Sequence, residues 1–175
     1  MPAITRSWLA FAAIGTGLIH LALVIGSPLG PGIVLGVLGL AEFGWGVLTF
    51  ARETVLAPRV ALAVAVVPVA GWTLLLVVSS VSETPEFAAS FGFLPLAVAS
   101  LFELVAAAIL GVHLRRGADR DAPPPPGTAR YLLGLVAGAL VVASLATPAL
   151  AATRAGLFVA PGQPSDVVDL PGHGH

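Results

Sequence analysis

Five apolar stretches, Ser7–Ile25, Gly32–Ala51, Val60–Val81, Phe91–Val112 and Tyr131–Ala152, fill most of a 175-residue chain. Each comes close to the ~20 residues that carry an α-helix across the hydrocarbon core of a bilayer. The expected fold is therefore all-α: a polytopic membrane helix bundle of five transmembrane helices, placed as a multi-pass protein of the cell membrane. Charged residues make up only 10% of the chain, against roughly 25% in a soluble domain, so the bundle itself is the only sizeable core.

The arginines set an orientation. All eight basic residues are arginine. Arg6, Arg52, Arg59, Arg115, Arg116, Arg120 and Arg130 fall on one side of a five-span layout, and Arg154 alone on the other. The positive-inside rule then puts the N-terminus in the cytoplasm and the C-terminus outside. A four-span layout would move Arg154 and the tail to the arginine-rich side and fits less well. The first apolar stretch is too long for a secretory h-region of 7–15 residues, so it reads as a retained helix. Arg130, an apolar run and Ala149-Leu150-Ala151 imitate a signal sequence, but a helix ending in small residues gives the same string.

Punctuation divides the chain further. Residues 1–116 read as a four-helix transmembrane unit, 117–129 as a cytoplasmic Pro-rich linker, 130–152 as the fifth transmembrane helix and 153–175 as a flexible external tail. Pro123–Pro126 would form a stiff spacer of about 3.1 Å per residue. Gly26–Pro31 reads as a tight turn between the first two spans. Gly32-xxx-Gly36 and Gly134-xxx-Gly138 are spacings that let helices approach closely, with a membrane-protein partner or a second copy as a possible occupant. Pro68 lies inside the third span, where it removes one helical hydrogen bond. Trp8 suits an interfacial anchor, and Trp45 and Trp72 read as core packing or as walls of a cavity.

The polar residues inside the apolar stretches carry the functional question. Glu42 sits near the middle of the second span and Glu103 near the middle of the fourth. His20 lies about 6 Å outward of the middle of the first, taking 1.5 Å per residue. An ionisable group at such depth costs on the order of 2.5 kcal/mol or more, so it is normally turned inward and has a function. Small residues mark the same helix faces: Thr16 and Gly17 before His20, Gly39 and Gly46 around Glu42, Ala99, Ser100, Ala106 and Ala107 around Glu103. The three groups are thus expected to converge inside the bundle. One imidazole and two carboxylates are adequate ligands for a first-row divalent metal, copper or zinc for example, and the same groups could relay protons. The structural alternative is a hydrogen-bonded glue between helices, with His20 satisfying a glutamate.

At the C-terminus, His173 and His175, with Asp166 and Asp169 upstream, form a short His-containing tract that could bind a metal outside the membrane. A tail without fixed structure is the plainer reading. His113 reads as interfacial. Since it and His20 lie near opposite ends of their spans, a haem held by both is not expected.

Other chemistries are excluded by composition. The net charge of −1 leaves no basic footprint for nucleic acid. No cysteine is present, which removes disulfides, thiolate metal sites and cysteine nucleophiles. No lysine is present, which removes Walker-type nucleotide sites and Schiff bases. No serine–histidine–acid arrangement or zinc-protease motif occurs. Three functional classes remain: a protein that binds or translocates a small cation at a His20/Glu42/Glu103 site; a non-catalytic accessory or assembly subunit of a larger membrane complex; and a membrane enzyme using the glutamates as acid and base on a lipid-soluble substrate.

Overall fold

A computed structural model describes residues 1–52, 54–81, 93–116 and 127–159. Among these, the regular structure is helical throughout. The helices are α1 (Ala3–Val24), α2 (Leu29–Ala51), α3 (Pro58–Val81), α4 (Phe93–Arg116), α5 (Thr128–Ala151) and the short α6 (Arg154–Val159). The first five are each long and apolar enough to cross a membrane. The acidic third connection, most of the Pro-rich linker and the terminal histidines lie outside the described residues.

The helices extend beyond their apolar stretches. α1 begins at Ala3 rather than Ser7, and α4 runs on to Arg116. An apolar window measures the hydrocarbon thickness, whereas backbone hydrogen bonding continues through the polar residues that flank it. α2 shows the same effect at its start. It begins at Leu29 after Pro28, so Gly30, Pro31 and Gly32 form its first turn rather than a loop. The first N–H groups of a helix have no partner inside it, so a proline there removes nothing. The connection shrinks to Ile25–Pro28, and Gly26 makes the bend at φ +86°, a conformation open to glycine.

Helix α1 is the axis of the assembly. It packs on α2, α4 and α5, while α3 packs on α4. Within the most apolar window of each helix, 56% of α1 is buried but only 6% of α3. One apolar cluster joins Ile19 and Leu23 of α1 to Leu96, Ala99 and Phe102 of α4 and Ala146 and Ala149 of α5. A second joins Leu9 to Ala65, Ala106 and Leu110. Outward-facing positions carry Val34, Val37, Leu40, Val67, Leu74, Leu133 and Leu140, all exposed. An apolar surface of that extent is unsuited to water and suited to lipid.

Glycines bring α1 and α2 into backbone contact. A Cβ at Gly17 would lie 2.7 Å from Gly39 O and 2.7 Å from Phe43 N, and one at Gly39 would lie 2.8 Å from Gly17 O. A Cβ at Gly46 would lie 2.8 Å from Ile14 Cγ1. The tight pair is therefore built on Gly17, Gly39 and Gly46. At Gly32 and Gly36 a Cβ would have its nearest neighbours at an ordinary 3.7 Å, so that spacing is not where the backbones touch. The Gly134/Gly138 face is used within the chain: Ile4 lies over Gly134 and the Trp8 ring over Gly138. Trp8 Nε1 donates to Gly134 O at 3.0 Å, which ties this indole to α5.

Candidate metal centre

The α1–α2 contact fixes what lies beside it. Gly17 is one turn before His20, and Gly39 is three residues before Glu42, so the touching backbones set both side chains at one height. His20 Nδ1 and Glu42 Oε2 are 2.7 Å apart. From α4, Glu103 approaches the other ring nitrogen, with Oε1 3.7 Å from His20 Nε2. All three residues are buried, at 2%, 6% and 3% exposure for His20, Glu42 and Glu103. One ligand atom from each lies within 4.8 Å of the other two. Three helices thus deliver an imidazole and two carboxylates to one buried point.

The two carboxylates are not equivalent. Glu42 is in full hydrogen-bonding contact with the ring. An ionised carboxylate can only accept, so with Glu42 ionised Nδ1 carries a hydrogen, and in the neutral ring Nε2 then keeps its lone pair. Glu103 Oε1 is beyond hydrogen-bond reach of Nε2 and has no partner, although buried. An unsatisfied buried polar atom costs about 1–3 kcal/mol, more when charged. Thr16 does not relieve it: its hydroxyl donates back to Ala12 O at 3.0 Å.

Two apolar clefts meet at this point. One, of about 170 Å³, is bordered by Thr16, Glu42, Trp45, Ala61, Glu103 and Leu110. The other, of about 460 Å³, is bordered by His20, Leu38, Pro68, Gly71, Trp72 and Glu103. Both run between α2 and α3 with α1 and α4 as floor. They are sorted by height: the first lies towards the α2–α3 connection, the second towards the α1–α2 connection. Glu103 borders both, Glu42 only the first and His20 only the second. Trp45 and Trp72 serve as cleft walls, and Trp45 Nε1 also donates to Leu56 O at 2.8 Å, holding the α2–α3 connection.

Sequence reasoning names the three buried groups, and the structure brings them together. It does not foresee Gly71 and Pro68 as lining, because nothing local distinguishes a proline or glycine beside a cleft from one facing lipid. His113 is at the far end of α4, about 15 Å along the axis from Glu103. His173 and His175 lie outside the described residues. No protein-family model, curated protein or solved structure matches the chain.

Proposed function

We propose that the chain is a multi-pass membrane protein that binds a divalent first-row metal ion, copper or zinc by ligand type, at His20, Glu42 and Glu103. The observation that carries this reading is the buried convergence of the three ligand atoms within 4.8 Å. Charge supports a divalent ion. Metal ligation takes both carboxylates in their ionised form, and an M²⁺ ion neutralises their charge of −2, whereas an alkali ion leaves one charge uncompensated. An uncompensated charge in such surroundings is the costly state. Imidazole with carboxylate also favours first-row metals over alkali ions.

Clefts on both sides of the triad give the site a possible approach from either half of the bilayer, which fits translocation as well as storage. The arginine distribution supports a cytoplasmic N-terminus and an external tail, in which His173 and His175 would gather the ion.

Tag-free protein, reconstituted and incubated with Zn²⁺ or Cu²⁺, should retain one ion per chain after gel filtration. The ion should be lost in the Glu42→Gln/Glu103→Gln double variant while the helices stay folded. Wild-type protein that retains none would end the reading and favour an accessory subunit. One observation favours a second reading: the clefts are apolar and border both glutamates. A membrane enzyme acting on a lipid-soluble substrate would need such a groove. Photolabelling of Trp72 or Gly71 by a lipid-soluble carbonyl probe, together with absence of bound metal, would support it.

A further inference from the structure

We infer that the ion is seated between His20 Nε2 and Glu103 Oε1, and that Glu42 is not a ligand but the positioning residue that holds the imidazole for it. This rests on the metal-binding reading above and divides its three residues into two roles.

Distances make the division. A first-row ion lies about 2.0–2.2 Å from an imidazole nitrogen or a carboxylate oxygen. The 3.7 Å separation of Nε2 and Oε1 is too long for a hydrogen bond. It accommodates an ion bonded to both, with an N–M–O angle of about 120–130°, near the tetrahedral range. The 2.7 Å separation of Nδ1 and Oε2 is already closed. An ion between those atoms would need an angle of about 80°, far from tetrahedral. A carboxylate that accepts the remote N–H of a metal-bound imidazole is the usual companion of such a ligand; it fixes the tautomer and makes the other nitrogen more basic.

The unpartnered atom points the same way. Oε1 of Glu103 is buried and without a hydrogen-bond donor, whereas Glu42 already has the ring. Of the two carboxylates, only Glu103 has an oxygen in need of a cation. The seat also has open space beside it. His20 borders the cleft towards the α1–α2 connection and Glu103 borders both clefts, so the coordination positions left by two protein ligands have room for a further donor. Water or an incoming donor from the ion's carrier would fill them. The charge balance is unchanged, because Glu42 neutralises from the far side of the imidazole ring.

The test uses the full chain with His173→Ala and His175→Ala as background, so that only the bundle competes for Cu²⁺. Titration with Cu²⁺ and pulsed electron paramagnetic resonance read affinity and the remote imidazole nitrogen. Glu42→Gln should keep one ion per chain, weaken it about 10–100-fold and change the quadrupole coupling of the remote nitrogen, whose hydrogen-bond acceptor has become neutral. Glu103→Gln should abolish stoichiometric binding, and Glu103→Asp should restore it in part, which separates a lost ligand from a lost fold. Equal loss of binding in Glu42→Gln and Glu103→Gln would overturn the division while leaving the metal site standing. Unchanged affinity and coupling in Glu42→Gln would overturn the positioning role. A background protein that binds no Cu²⁺ at all would instead remove the metal-binding reading on which the division rests.

Discussion

His20 is bonded on one side and open on the other, and the two glutamates differ in stability terms for that reason. Replacing His20 by Leu leaves Glu42 buried with its donor gone. Breaking a buried pair from one side costs about 3–5 kcal/mol, so His20→Leu should lower thermal stability sharply in the metal-free protein. Glu103→Gln removes no hydrogen bond, since Oε1 has none to lose, and glutamine retains the size and an acceptor. It should change metal-free stability by less than about 1 kcal/mol. Thermal unfolding in one detergent would compare the pair, and equal losses would contradict the asymmetry. At this scale the sequence is most informative: a carboxylate in an apolar run signals itself by its cost. Which carboxylate would touch the ring is not legible, because it depends on rotations that spacing along a helix does not fix.

Helices α1 and α2 are set by glycine, and the same glycines decide which substitutions the hairpin accepts. At Gly39 a Cβ meets Gly17 O and Leu21 N, at 2.8 and 3.0 Å, and a backbone cannot step aside as a side chain can. Gly39→Ala should therefore cost about 1–3 kcal/mol and disturb the His20–Glu42 contact, whereas Gly36→Ala should be nearly neutral. Thermal unfolding with Cu²⁺ titration would show both effects, and equal tolerance at the two positions would be the contrary result. Gly-xxx-Gly spacing singles out Gly32 and Gly36, but the contact uses Gly39 and Gly46, seven residues apart, the first against Gly17 and the second against Ala10 and Ile14. Seven residues are two turns of one face, a spacing that a four-residue pattern does not register. On α3, the Cβ of a residue at Gly71 would enter open space. Gly71→Leu should thus leave equilibrium binding intact yet slow ion uptake through the cleft it borders, as stopped-flow quenching of Trp72 could show; unaltered uptake would exclude that entrance.

For the molecule as a whole, hydropathy alone reveals five helices of spanning length, because each apolar run is nearly continuous. Their arrangement is not legible in that signal: α1 and α2 have the same mean hydropathy, 1.8, yet 56% of one apolar window is buried and only 22% of the other. Composition records what a helix can border, and lipid and protein interior ask for the same side chains. The orientation rests on the arginines and predicts that cysteines placed at Gly127 and Gly162 label from opposite sides of the membrane. Labelling from one side would break the five-span layout. Deleting Gly172–His175 should weaken metal capture at low concentration and leave the saturated stoichiometry of the bundle site unchanged. Loss of that stoichiometry would make the tail the principal site.

The contact between Gly17 and Gly39 also bears on how the length of this chain can vary. Two helices whose main chains touch cannot slide or roll past each other, so the hairpin behaves like a vernier whose marks are glycines. An extra residue near Gly26 or Ser27 would disturb the turn, where the Arg154 side chain packs on Gly26, but would leave the Gly17–Gly39 contact in register. The same residue placed between Gly39 and Glu42 would swing the carboxylate by about 100° around α2 and part it from the ring. Tolerance to insertion is thus greater at the bend than along the few residues that join the contact to the carboxylate.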